Sequence, residues 1–193
     1  YPSICGIGGV DCDEATVALW GEIQEAAETA YDRSDACTFT SFVGYEWSGS
    51  PGTANLHRNV IFGNHVVPRR PVSYFDEPTP QGLWAGLRSG CTDAAGGCDV
   101  LTIPHNSNMS AGVSLQVWNP TLAGVALQRR YQVAAEIFQH KGNSECNWDP
   151  ATGNPLDPLC GFEQTDASPI LPANFVRNAL QTGIKYAADN PVQ

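Results

Sequence analysis

Positive charge is scarce in this chain. Lys141 and Lys185 are its only lysines, and ten Lys and Arg stand against twenty Asp and Glu, for a net charge of −10 over 193 residues. A nucleic-acid groove needs clustered cations, so this composition argues against a nucleic-acid partner. The acidity is spread along the chain and reads as solubility. No apolar run approaches the roughly 20 residues of a membrane-spanning helix. No Cys-x-x-Cys occurs, which argues against a zinc ribbon or a redox dithiol. Histidine is limited to His57, His65, His105 and His140, with no His-x-His and no Asp-x-His pair. No targeting segment, internal repeat or low-complexity tract is visible.

Cysteine, by contrast, is plentiful. Seven are present, and six fall in close pairs: Cys5 with Cys12, Cys91 with Cys98, and Cys146 with Cys160, leaving Cys37 over. Each pair flanks a loop rich in Gly, Asp, Asn or Pro. Disulfides are the favoured interpretation, with free buried thiols as the alternative. Bridges of this kind imply an oxidising compartment, periplasmic or secreted. Each short closed loop would contribute on the order of 2–3 kcal/mol.

The chemistry concentrates in three places. Phe39-Thr40-Ser41-Phe42-Val43-Gly44-Tyr45 is aromatic and β-branched, as strands are, and leads into Glu46; His57 lies eleven residues later, ahead of a second such run, Asn59-Val60-Ile61-Phe62. The link between them holds Gly49, Pro51 and Gly52, which is turn chemistry. Paired as antiparallel neighbours, the two runs bring Glu46 and His57 to one sheet edge. The third place is Asp99 to Pro104, a short apolar run ending in Pro104-His105-Asn106, and His105 sits at the strand end where ligands gather in α/β sheets. A carboxylate and imidazoles suit zinc, manganese or iron. A lone Glu46 between Tyr45 and Trp47 is costly unless paired.

Other polar residues surround this set. Val133 to Phe138 reads as a strand leading into His140-Lys141. Lys141 and Arg58 are the candidate anion contacts, with ordinary surface charge as the alternative. His140 is adjacent to the site without being a primary ligand. Glu136 and Asn106 are subsidiary candidates, and His65 reads as a loop residue. Trp47, Trp118 and Trp148 leave open a sugar-stacking module.

Taken together, "FTSFVGYEWSG", "NLHRNVIF", "DVLTIPHNSN" and "EIFQHKGNSE" resemble the polymerase-and-histidinol-phosphatase (PHP) superfamily. They resemble more closely a PHP-related family of unknown function found mostly in bacterial exported or environmental proteins. The likeness runs from about Leu19 to the end. It implies an α/β fold, part of a distorted (β/α)7 barrel, over a single domain 1–193. It also implies a metal-dependent phosphoesterase with a di- or trinuclear centre. Glu46 would bridge metals, His57 and His105 would bind one each, and a small anionic substrate would be held by Lys141 or Arg58. The superfamily's opening His-x-His and closing Asp-x-His are missing here. An internal fragment, inactive alone and with an open barrel, is therefore expected; a barrel that kept its shape and lost catalysis is the alternative.

The remaining pattern predicts a helix over 13–30 capped by Asp13, with Val17, Trp20, Ile23, Ala27 and Ala30 on one face. Strands are expected near 39–46, 58–63, 99–104 and 133–138. A short helix starts at Thr79-Pro80, another covers 121–131, and a last one covers 173–188. The segment from His140 to Pro172 is too long for a simple connector and reads as a lid or site-lining insertion.

Overall fold

A computed structural model describes residues 2–149, 151–164 and 170–191. The part of the expected 140–172 insertion at 150 and 165–169 lies outside the described residues. The elements run α1 (Pro2–Cys5), α2 (Val10–Ala30), β1 (Gly44–Gly49), β2 (Leu56–Phe62), α3 (Pro80–Leu87), β3 (Val100–His105), α4 (Leu122–Tyr131), β4 (Phe138–Gln139), β5 (Gly142–Asn143) and α5 (Val176–Asp189). This is mixed helix and sheet, in agreement with the coarse α/β expectation. The chain divides into two compact units, Tyr1–Tyr45 with Val60–Leu101 and Glu46–Asn59 with Thr102–Gln193.

β1, β2 and β3 form one sheet in that order, and β4 and β5 form a separate hairpin. Two bonds set the register of the larger sheet. The Phe62 N–H donates to the Val43 carbonyl at 2.9 Å, and the Gly63 N–H to the Asp99 carbonyl at 2.9 Å. Both join residues at the ends of neighbouring strands in the antiparallel sense. Gly44 is required where the first two strands approach, because a Cβ there would stand 2.8 Å from the Val60 carbonyl oxygen. Along β2 the side chains alternate strictly: Leu56, Arg58, Val60 and Phe62 are buried, while His57, Asn59 and Ile61 are only partly so. That period of two decides which residues can reach a common site.

In the first unit, α2 contributes its buried Trp20 and Ala27. The Trp20 indole N–H donates to the Pro68 carbonyl at 2.8 Å, and its ring meets Tyr45 edge-on with centroids 5.7 Å apart. Val17 and Ala30 are exposed, so the apolar stripe is narrower than the sequence predicts. The helix also starts earlier, after Gly9. Asp13 is not its cap but sits in its first turn, where a negative charge favours the positive end of the helix dipole. α3 follows its prediction. The Thr79 side chain accepts from the Gly82 N–H, Pro80 occupies the first turn, and Leu83, Trp84 and Leu87 are buried. Each such large apolar side chain contributes about 1.5–3 kcal/mol on burial. Cys91 and Cys98 are bridged with Cα atoms 5.1 Å apart, and Cys5 and Cys12 with Cα atoms 4.7 Å apart.

In the second unit, Cys146 and Cys160 form the third bridge and pack with Phe175 and Trp148. All three pairings match expectation, and Cys37 is free and exposed. α4 begins as predicted, with Thr121 accepting from the Gly124 N–H. The expected strand 133–138 is corrected: only Phe138–Gln139 is extended in a ladder, and it pairs with Gly142–Asn143. One bond links this stretch to β3, from the Glu136 N–H to the Pro104 carbonyl at 3.1 Å. The ladder stops there for a physical reason. Pro104 has no N–H to return, and the Asn106 N–H is taken by the Glu136 side chain.

Candidate metal centre

The register of the sheet builds the site. Val43 opposite Phe62 puts Glu46 opposite Asn59, one diagonal step from His57. Gly63 opposite Asp99 puts His57 opposite His105. Glu46, His57 and His105 therefore share one face of three adjacent strands, and Trp47, Arg58 and Pro104 take the other. One carboxylate oxygen, Glu46 Oε1, lies 3.1 Å from His57 Nδ1 and 3.2 Å from His105 Nε2. The two imidazoles meet edge-on with centroids 5.5 Å apart. Ligand atoms from the three residues all lie within 4.8 Å of one another.

These spacings have a chemical meaning. Ligands bonded at about 2.1 Å and subtending about 90–109° at an ion stand about 3.0–3.4 Å apart. The two Glu46 distances fall in that range. His57 Nδ1 is buried and makes no hydrogen bond among the described residues, although Glu46 Oε1 is 3.1 Å away. Carboxylate oxygen and ring nitrogen thus face each other as two ligand atoms do. The donor set of one anionic oxygen and two ring nitrogens fits zinc, manganese or iron.

The electrostatics favour the protonation states a metal requires. Burial pushes the Glu46 carboxyl up, but a hydrogen bond with Ser48 and the two imidazoles outweigh it and hold the group below the usual carboxylate range. Burial pulls the His57 imidazole down; Glu46 opposes this, and His105 and Lys141 add to it. An anionic carboxylate and a neutral imidazole are the ligating forms. The Glu46 side chain is 45% exposed against 16% and 10% for His57 and His105, so the centre opens to solvent on the carboxylate side.

The other candidates separate clearly. Lys141 is half-buried in the turn between β4 and β5, and its charge is among those acting on His57. His140 shares that turn and is absent from the ligand cluster. Glu136 is engaged through Oε1, which accepts from the Asn106 N–H at 3.1 Å and from Gln139 Nε2 at 2.7 Å. Asn106 is buried in the left-handed region at φ 54°, and neither polar atom of its carboxamide is hydrogen-bonded among the described residues. Arg58 is corrected. It is fully buried on the face opposite His57, donates to the Ser114 carbonyl at 2.7 Å and to Gln132 Oε1 at 3.3 Å, and lies over the Trp47 ring. It is a core cation of the second unit and not an anion contact. His65 is an exposed loop residue, as expected. Trp47 is fully buried, which removes it as a sugar platform.

Sequence reasoning misses a buried polar group. Asn108, Ser144 and Asn174 are all fully buried and hydrogen-bond to one another's side chains or backbone. Asn108 and Ser144 occur in stretches that read as polar loops, and their partners lie 36 and 66 residues away.

No curated protein and no solved structure matches this chain. A family model described as a protein of unknown function, DUF3604, matches residues 2–193, which is nearly the whole sequence. The chain belongs to the DUF3604 family of proteins of unknown function.

Proposed function

We propose that this chain carries the metal site of a hydrolase acting on phosphoester or related bonds in a periplasmic or secreted protein. The observation behind the proposal is the convergence of Glu46, His57 and His105 around one carboxylate oxygen. Three disulfides fit an oxidising, extracellular setting. The likeness to PHP phosphoesterases supplies the reaction class, the barrel context and a centre of two or three ions.

Each residue has a role in this scheme. Glu46 supplies negative charge and, having two carboxylate oxygens, can serve one ion or bridge two. His57 offers Nδ1 and His105 offers Nε2. A divalent ion held there would supply Lewis-acid polarisation of the substrate and a water of lowered pKa. Lys141 would hold an anionic group of a small substrate by charge-assisted hydrogen bonding. Arg58 has no part in this scheme.

The test is release of p-nitrophenol from phosphate mono- and diesters by the full-length gene product, loaded in turn with zinc, manganese and iron. Metal-dependent release that disappears in Glu46→Gln supports a hydrolase. Metal binding without release from any ester would favour the second reading, a catalytically inactive binding domain. The single three-ligand group among the described residues keeps that reading in play.

A further inference from the structure

Beyond His105 the chain turns at Asn106 and enters a tight turn, Ser107–Met109. Asn108 in that turn is fully buried, yet its polar groups are spent on distant residues. Its N–H donates to Ser144 Oγ at 3.3 Å, its Nδ2 donates to the Lys141 carbonyl at 3.0 Å, and its Oδ1 accepts from Ser144 Oγ at 3.2 Å. Its own carbonyl accepts from Asn174 Nδ2 at 2.8 Å. The amide therefore grips the β4–β5 hairpin on both sides of Gly142. Gly142 lies so close that a Cβ would stand 3.1 Å from Asn108 Nδ2 and 2.9 Å from the Gln164 nitrogen.

A second fastening lies just upstream. Glu136 bonds through its N–H to the Pro104 carbonyl and through its carboxylate to the Asn106 N–H, both at 3.1 Å. The segment carrying Lys141 is thus tied on two sides to the residues that flank His105. An apolar side chain would fill a buried position as well as an amide. What asparagine adds is a donor for residue 141 and an acceptor for residue 144, which together fix where the hairpin turn sits.

We propose that Asn108 is a positioning residue that sets Lys141 beside the Glu46–His57–His105 centre, making the site a receptor for a small oxyanion of the phosphate type. This rests on the metal reading above. The ties from the hairpin segment to Pro104, Asn106 and Asn108, around His105, carry the placement.

The test is calorimetric titration of the zinc-loaded protein with inorganic phosphate, with zinc affinity measured separately. Lys141→Gln should weaken phosphate roughly tenfold, the scale of one charge-assisted contact. Asn108→Ala should weaken it similarly while leaving zinc affinity within about twofold. The double variant should be no worse than Lys141→Gln alone, because Asn108 acts through Lys141. Ser144→Ala, a milder change to the same grip, should cost a few-fold and keeps the inference testable should Asn108→Ala not fold. Phosphate affinity indifferent to both Asn108→Ala and Ser144→Ala would overturn the inference, as would additive losses in the double variant or zinc lost in step with phosphate. Absence of zinc binding in the unaltered protein would overturn the metal reading itself, and this inference with it.

Discussion

Replacing Glu46 by Gln keeps the shape of the side chain and removes its charge. Glu46 Oε1 lies 3.1 Å from His57 Nδ1 and 3.2 Å from His105 Nε2. Without the carboxylate the remaining pair is two imidazoles, with no anionic donor. Changing a residue that merely supports a metal ligand costs about 10–100-fold in affinity. Loss of the one anionic ligand should therefore exceed about 100-fold. Thermal unfolding reads this directly. Zinc at 100 times its Kd stabilises the unaltered protein by about 2.7 kcal/mol. For a chain of this length that raises Tm by roughly 5–11 °C. At the same zinc concentration a 100-fold weaker site yields about 0.4 kcal/mol, or about 1–2 °C. The metal-free proteins provide the baseline for each. A zinc-induced shift in Glu46→Gln equal to that of the unaltered protein would refute the assignment of Glu46 as a ligand.

Three further outcomes are expected. Removing the Cys91–Cys98 bridge by double Ala replacement should cost about 2.5 kcal/mol from loop closure, and removing Cys146–Cys160 about 3 kcal/mol; denaturation midpoints unchanged by either would contradict a structural role. Arg58→Met should lower stability by about 2–4 kcal/mol through the lost bonds to Ser114 and Gln132, yet leave zinc affinity of the folded protein unchanged; a folded variant that loses zinc would return Arg58 to the site. Asp32 accepts hydrogen bonds from Ser34 and Thr38, side chain and backbone, which hold its carboxyl below the ordinary value of 3.8. Its stabilisation is therefore complete above pH 3.8 and is lost as pH falls through the lower folded value. The stability gap between the unaltered protein and Asp32→Asn, read from urea midpoints, should shrink on acidification, and a gap constant with pH would refute this.

Much of the site was legible because short-range rules set it. A six-residue link between β1 and β2 leaves only an antiparallel hairpin, which brings Glu46 to His57. An apolar run ending in Pro-His-Asn marks His105 as a strand terminus. Cysteines seven or fourteen residues apart across turn-rich loops can hardly avoid one another. The expectation for Arg58 fails on the same arithmetic, since the residue after a ligand in a strand faces the opposite side. The strand expected at 133–138 fails because its residues suit β structure but its neighbour cannot supply a ladder: Pro104 lacks the donor and Asn106 is already bonded to Glu136. The Asn108 grip was not legible at all. Its partners lie 33, 36 and 66 residues away, and nothing in hydropathy or spacing marks a buried amide inside a polar loop. Apolar periodicity likewise overstates the buried face of α2, where Trp20 and Ala27 alone are buried.

The central claim is that Glu46, His57 and His105 are ligands of a divalent metal centre, and a crystal structure grown with zinc and phased on its anomalous signal tests it most directly. The account predicts anomalous density at this face of the sheet, with a Glu46 carboxylate oxygen, His57 Nδ1 and His105 Nε2 each about 2.0–2.2 Å from a peak. A zinc-containing crystal with no peak at this face of the sheet, or a peak bound by other residues while these three stay unligated, would contradict it.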